Sequence, residues 1–191
     1  MSEPAKKGAT YEDLFSIPEN MTGEIIDGEL FVHPRPSRKH ISAVSSLGYE
    51  IGPAYQFGKN GGPGGWIILI EPEIQLGEHT MVPDLAGWKQ ERYPEEEPCN
   101  SITVAPDWVC EVLSPKTAGH DRVKKMFKYA KFAVGYAWLL DPIITTLEAY
   151  KLESGFWLLL AAYEGAEKVR VEPFQEVEID LGVLWRKTPQ A

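Results

Sequence analysis

Two acidic residues lie in short apolar segments, where a carboxylate needs a partner. Asp84 follows Pro83 at the start of one segment, and Glu111 lies inside another, residues 108–113. Burying an ionised carboxylate is costly unless the group is paired or binds a metal. Carboxylate oxygens are ligands that Mg²⁺ prefers, and several lysines follow within residues 116–128. These residues predict a hard-metal site with a cation beside it, a chemistry typical of nucleases.

The alternation of a strand decides where Glu111 points. If residues 108–113 are extended, Val109, Glu111 and Leu113 share one face, and the residues between them form an equally apolar second face. A glutamate with apolar neighbours on both faces is predicted to be buried. The alternative is an edge strand that points Glu111 into water. Asp84 is predicted at a strand entry, because proline is tolerated at the first residue of a strand.

Several lysines compete for the role of the cation beside the two acids. Lys125 is one helical turn beyond Asp121, so these two side chains can pair on one helix face. Lys116 lies in the loop that follows the second acidic strand, and it can also reach the predicted site. For Lys124 and Lys128 we favour a solvated helix face.

Turn residues and apolar periodicity predict the elements that position these groups. Asp27-Gly28 between apolar pairs predicts a hairpin over residues 24–32. Ser37 is predicted to cap a helix over residues 40–53. Strands are predicted over residues 66–76 with an interruption at Pro72, over 82–88, 108–113 and 136–140, and as a second hairpin over 145–163. A helix over residues 120–132 is predicted to offer apolar side chains to the core, namely Val123, Phe127, Tyr129 and Ala130.

The order of these elements predicts an α/β or α+β domain around a mixed central sheet. The helix over residues 120–132 lies between two apolar strands and is expected to be a crossover connection. Residues 169–179 are expected to continue the sheet. We predict one domain over residues 11–187, preceded by a flexible tail, residues 1–10.

Composition limits the possible functions. The 191 residues carry a formal net charge of −9, which counts against a large nucleic-acid footprint. Basic residues are nevertheless concentrated in residues 35–39 and 116–131, and the local field matters more than the total charge. No apolar run is long enough to span a bilayer, and no secretory signal is evident. Two cysteines make no disulfide framework. We therefore expect a cytoplasmic protein.

The ordered motifs resemble those of the Uma-type restriction endonuclease family, which belongs to the PD-(D/E)XK, or restriction-endonuclease-like, nuclease superfamily. The resemblance runs from about residue 11 to residue 185, and its motifs are Pro83-Asp84, Glu111-Val112-Leu113-Ser114-Pro115, Asp121-Arg122 with Lys125, Tyr129-Ala130 and Trp138-Leu139-Leu140-Asp141-Pro142. The N-terminal segment 24–30 and the helix near His40 also match. The resemblance implies a restriction-endonuclease-like core, with a central mixed sheet flanked by helices and extra C-terminal hairpins.

The same resemblance implies a set of site residues. Asp84, Glu111 and the backbone carbonyl of Val112 would hold Mg²⁺, for which Mn²⁺ is a possible substitute. The superfamily lysine usually lies two residues after the second acid, where this chain has Leu113, and the resemblance assigns its role to Lys125. Glu24 and His40 match further catalytic positions, although His40 is equally compatible with a histidine that only stabilises its helix.

The implied function is Mg²⁺-dependent hydrolysis of phosphodiester bonds in DNA by an endonuclease, expected as a homodimer through residues 145–163. The alternative is a catalytically idle module that keeps the fold for binding or assembly. A metal-dependent hydrolase with another substrate is a third, weaker reading. Two departures from the family pattern bear on activity: Lys116 replaces a small polar residue, and residues 134–138 lack the acid that commonly precedes the tyrosine-tryptophan pair.

Overall fold

The computed structural model describes residues 6–94 and 101–185. Its strands are β1 (Lys6–Lys7), β2 (Met21–Ile26), β3 (Glu29–Pro34), β4 (Trp66–Ile70), β5 (Ile74–Leu76), β6 (His79–Met81), β7 (Leu85–Lys89), β8 (Trp108–Val112), β9 (Tyr136–Asp141), β10 (Thr146–Glu153), β11 (Phe156–Glu164), β12 (Lys168–Val169) and β13 (Ile179–Asp180). Its helices are α1 (Tyr11–Leu14), α2 (Arg38–Tyr55), α3 (Ala118–His120), α4 (Met126–Lys131) and α5 (Leu181–Leu184). A π-helical turn, Asp121–Lys125, joins α3 to α4. Among the helices that the structure describes, none has the length and apolar character needed to cross a membrane.

The centre of the fold is a mixed six-stranded sheet with the order β11-β10-β9-β8-β7-β4. Only β8 and β9 are parallel, and the helical segment from α3 to α4 connects them. The predicted mixed central sheet and its crossover helix are therefore confirmed. The predicted C-terminal hairpin is also present, as β10 and β11 at one edge of this sheet.

Each face of the central sheet is covered by its own hydrophobic core. On one side, α2 and the C-terminal segment pack against Trp108, Cys110 and Val112 of β8. On the other side, Val109 and Leu113 pack with residues from α4 and from the second sheet. The predicted alternation of residues 108–113 is thus correct, and it directs Glu111 toward the second side.

The N-terminal hairpin belongs to a separate antiparallel sheet with the order β1-β3-β2-β6-β5. Asp27 and Gly28, with φ of 53° and 68°, form the two-residue turn that the sequence predicts. This hairpin places Glu24 on β2, with its side chain buried. The second sheet therefore contributes Glu24, an acid that is far in sequence from Asp84 and Glu111.

Three boundary predictions need correction. Residues 66–76 are not one strand, because the chain turns at Glu71 (φ +48°) and β5 pairs with β6 in the other sheet. Residues 169–179 do not extend the central sheet, since β12 and β13 pair only with each other among the described residues. Within the predicted flexible tail, β1 pairs with β3, and residues 1–5 lie outside the described residues, as do residues 186–187 of the predicted domain.

The helical segment of residues 118–131 presents a different face to the core from the one predicted. Val123 and Phe127 are 69% and 64% exposed, whereas Lys125 and Lys128 are 3% and 4% exposed. The prediction was wrong because it assumed that the apolar stripe faces inward. Here the inward face carries the charged side chains that meet partners on the two sheets. Tyr129 is buried, as predicted.

Candidate active site

A cavity of about 490 Å³ lies where the two sheets and the N-terminus of α2 meet. The predicted site residues all line it, from five different segments of the chain: Glu24, His40, Asp84, Glu111, Val112 and Lys125. Asp121 lines it too, although the sequence indicates this residue only as a partner of Lys125. The structure therefore brings together every candidate that the sequence proposed.

Asp84 is held in place through both of its carboxylate oxygens. It directly precedes β7, and its Oδ2 accepts a hydrogen bond of 2.6 Å from the backbone N–H of Val112. Its Oδ1 lies 2.6 Å from His40 Nε2. Ser37 caps α2 by accepting from the His40 amide, as predicted, which fixes the first turn that carries the imidazole. His40 is thus in direct contact with the first acid.

Glu111 is buried and surrounded by donors. It lies on β8, an interior strand of the sheet, so the alternative of an edge-strand glutamate is wrong. Its Oε1 accepts from the Tyr129 hydroxyl at 2.5 Å and lies 2.8 Å from Lys125 Nζ. Burial, together with the Asp121 and Asp84 carboxylates, raises the pKa of Glu111 well above its usual range, against the opposing effect of Lys125.

Glu24 is the better stabilised of the two acids that contact Lys125. Its Oε1 accepts a hydrogen bond of 2.8 Å from the Val82 amide and lies 3.0 Å from Lys125 Nζ. Its Oε2 is 3.4 Å from His120 Nε2 and 3.6 Å from His33 Nε2. Burial opposes ionisation, but these partners together hold the pKa of Glu24 well below its usual range. Glu24 is therefore the ionised partner of the ammonium.

Lys125 is the lysine that contacts the buried acids of the cavity. Although burial works against its charge, attraction by Glu111 and Glu24 raises the pKa of Lys125 well above its usual range. Its Nζ also donates to the backbone carbonyl of Val82 at 3.1 Å. Lys124 is exposed, and Lys116 is exposed at the rim of the cavity. Lys128, predicted to be solvated, is buried, and its ammonium reaches Asp27 at the hairpin turn, 2.5 Å away.

The charges in the cavity are unbalanced. Four acids, Glu24, Asp84, Glu111 and Asp121, line the cavity with one buried ammonium, that of Lys125, and the further cations that line it, Arg35 and Lys116, are exposed. Burial raises the pKa of Asp121 as well as that of Glu111, and neighbouring carboxylates add to both effects. An oxygen-rich donor set with excess negative charge fits a hard divalent cation such as Mg²⁺.

Two features of the site had weak or no signals in the sequence. Tyr129 follows Lys125 by one helical turn, so its position could have been anticipated from the i, i+4 spacing. His33 and His120 reach Glu24 from β3 and α3, and no local pattern brings these two residues together. These two histidines meet at Glu24 because the second sheet packs against the helical segment.

A second group of potential ligands lies elsewhere. Asp27, Glu78 and His79 are the three residues, among those the structure describes, whose ligand atoms come within 4.8 Å of one another. The Lys128 ammonium already contacts Asp27, and the Asp27 amide donates to His79 Nδ1 at 3.2 Å. These contacts account for the group without a metal ion.

The mixed sheet with its crossover helix and its acid-lined cavity has the architecture of restriction-endonuclease-like nucleases. Residues 9–183 match the model of the Uma2 family, described as "Putative restriction endonuclease". The chain belongs to this family.

One solved structure with a closely similar fold is described as a "putative nuclease belonging to DUF820" from Anabaena variabilis ATCC 29413. The match has a TM-score of 0.74 at 24% sequence identity, and covers 93% of this chain and 97% of that chain. At this identity, the likeness shows the fold alone. No protein with curated annotation matched the sequence.

Proposed function

We propose that this protein is a Mg²⁺-dependent endonuclease that hydrolyses phosphodiester bonds in DNA. The observation that carries the proposal is the convergence of Glu24, Asp84, Glu111 and Lys125 at one cavity. Membership of a nuclease family supports the reaction class. The unbalanced carboxylate charge supports a divalent cation, since a phosphodiester would otherwise meet a repulsive cavity.

Asp84, Glu111 and the Val112 backbone carbonyl would hold the Mg²⁺, and Mn²⁺ would substitute for it. When bound, the ion would activate a water molecule and offset charge on the phosphate oxygens. The side chains around it have separate tasks. His40 orients Asp84 through the contact at 2.6 Å, and the Val112 amide fixes the second oxygen of the same carboxylate.

Lys125 acts in this proposal as a fixed positive charge. Its raised pKa keeps the ammonium protonated at neutral pH, so it cannot serve as a general base. An ammonium that faces the cavity can stabilise the negative charge that develops on the phosphate during attack. Glu24 holds the ammonium in place from the second sheet, 3.0 Å away.

The direct test is a nuclease assay on single-stranded, duplex and branched DNA with Mg²⁺ or Mn²⁺. Asp84→Asn should abolish metal-dependent cleavage while the protein stays folded. Asp141→Asn is the matched control, because Asp141 also accepts backbone N–H bonds beside the central sheet but lies away from the cavity. Equal cleavage by the wild-type protein and Asp84→Asn would refute the assignment.

A second candidate function is supported by one observation. Lys125 Nζ lies between Glu24 and Glu111 and contacts both acids, as the cation of a structural ion-pair network would. In that case the protein is an idle nuclease fold used for binding or assembly. Calorimetric titration with Mn²⁺ separates the two, since the idle module predicts no binding that depends on Asp84 or Glu111.

We also propose that the protein is a cytoplasmic homodimer that pairs through β11. This strand is an edge of the central sheet, and its first eight residues carry no charge. Phe156, Leu158 and Leu159 are largely exposed on it. Natural edge strands are usually protected by charges or by a covering element. A second copy of the chain would cover this edge.

A further inference from the structure

Tyr129 lies behind the acid that is proposed to hold the metal. Its ring is fully buried, and it is not among the residues that line the cavity. Its hydroxyl donates to Glu111 Oε1 at 2.5 Å. A phenol is protonated at neutral pH, so the hydroxyl remains a donor.

The two donors to Glu111 share a single oxygen. Lys125 Nζ and the Tyr129 hydroxyl both contact Oε1, at 2.8 Å and 2.5 Å. Glu111 itself lines the cavity. A carboxylate whose first oxygen is held by two donors has its plane fixed, and the second oxygen is left for another ligand.

The helical segment is built to hold both donors on this oxygen. Lys125 ends the π-helical turn and Tyr129 lies four residues later in α4, so both side chains point to the same face. Single π-helical turns within α-helices are frequent at functional sites. The turn thus aligns one cation and one neutral donor on the same carboxylate oxygen.

We propose that Tyr129 is a positioning residue that orients Glu111 for the divalent cation. Tyr129 acts through Glu111, since it is separated from the cavity by that side chain. The inference rests on the proposed metal-dependent function and adds to it the residue that sets the geometry of the second acid. Partners of this kind, which hydrogen-bond a metal ligand, contribute strongly to metal affinity.

The test is a calorimetric titration of Tyr129→Phe with Mn²⁺, at a temperature where the variant is fully folded. We expect Mn²⁺ affinity to fall by about 10- to 100-fold. Tyr150→Phe is the matched control: the Tyr150 hydroxyl donates to Glu148 at the same distance, 2.5 Å, but that pair does not line the cavity. The control should retain wild-type affinity.

A double-mutant cycle separates positioning from a general loss of packing. If Tyr129 acts through Glu111, Tyr129→Phe should not weaken Mn²⁺ binding further in a Glu111→Ala background. Unchanged affinity in the single variant, or an equal loss in both backgrounds, would overturn the proposal. Tyr129→Met, which also lacks the donor, repeats the test if the phenylalanine variant does not fold.

The outcomes also distinguish this inference from the proposed function. If the wild-type protein binds Mn²⁺ through Glu111 but cleaves no DNA, the nuclease proposal fails and the role of Tyr129 still stands. If DNA is cleaved and Tyr129→Phe binds Mn²⁺ like the wild type, the nuclease proposal stands and the role of Tyr129 is refuted.

Discussion

The ammonium nitrogen of Lys125 lies 2.8 Å from Glu111 Oε1, and both side chains are buried. The same ammonium is shared with Glu24, so one positive charge serves two acids. Removing these groups from water is costly, so the surrounding protein must hold them in a favourable geometry. The pair therefore links the electrostatics of the cavity to the stability of the folded chain.

Replacing Lys125 by methionine should separate cation binding from catalysis. Without the ammonium, Glu24 and Glu111 lose the cation that they share, and loss of one buried partner costs about 3–5 kcal/mol. We expect Lys125→Met to unfold at a lower temperature than the wild type in EDTA, and to regain stability with Mn²⁺. Cleavage should fall by about 10²- to 10³-fold even at saturating metal. Thermal unfolding and single-turnover kinetics measure the two effects.

The effect of Lys125→Met on Mn²⁺ affinity distinguishes two roles for the lysine. The ammonium competes with a metal ion for Glu111, so its removal should leave Mn²⁺ affinity unchanged or higher. A large loss of affinity in Lys125→Met would show that the lysine supports the metal site and does not compete with it. Lys124→Met, one residue away and exposed, is the control and should change neither property.

The free energy of unfolding should depend on pH because of the buried carboxyl group of Glu111. Its folded pKa is raised above the ordinary value of 4.5, so folding favours the protonated acid, and its contribution to stability is lost as the pH rises from 4.5 through the folded pKa. Glu111→Gln removes this loss. In the metal-free protein, the unfolding free energy of the variant relative to wild type should grow by about 1.4 kcal/mol per pH unit within that window.

Urea denaturation between pH 5 and pH 8 measures this difference. Glu24 has a lowered pKa, so its contribution has the opposite sign and is lost only as the pH falls below 4.5. The two acids therefore act in separate pH ranges. A free-energy difference between Glu111→Gln and the wild type that is constant over this range would contradict the raised pKa of Glu111.

Lys116 should contribute to substrate binding without taking part in the chemistry. It is exposed at the cavity rim, and no ion pair involves it within residues 6–94 and 101–185. Lys116→Ala should raise the KM for DNA several-fold while kcat is preserved. The slope of log affinity against log salt should fall by about 0.7–0.9, as for one lost phosphate contact. Lys59→Ala, at an exposed site away from the cavity, should show neither change.

The proposed dimer can be tested by placing a charge on the edge strand. Leu158 is 48% exposed on β11, and a lysine there would oppose pairing with a second copy. We expect light scattering to detect a dimer for the wild type and a monomer for Leu158→Lys. Ile143→Lys is the control, because Ile143 is similarly exposed but lies in the turn before β10. A wild-type monomer at micromolar concentration would rule out the dimer.

The sequence predicted local structure well where local chemistry decides it. The Asp27-Gly28 turn needs two residues with positive φ, and the Ser37 cap satisfies a free amide at the start of α2. Glu111 was predicted to be buried because apolar neighbours on both strand faces leave it no route to water. These features depend on residues within a few positions of one another.

The sequence did not predict what depends on packing between distant segments. The burial of Lys128 was missed, because its partner, Asp27, comes from the hairpin turn. Lys128 reaches the half-exposed Asp27, so its aliphatic stem is buried while its charge is paired near the surface. Hydrophobic periodicity contains no information about such partners.

The bridge that Lys125 makes between Glu24 and Glu111 has a mechanical consequence. Glu24 belongs to the five-stranded sheet and Glu111 to the six-stranded one, so a single ammonium joins two layers that also pack through a shared hydrophobic core. A ligand that displaces this cation would therefore remove a polar contact between the two sheets and leave their hydrophobic contacts in place.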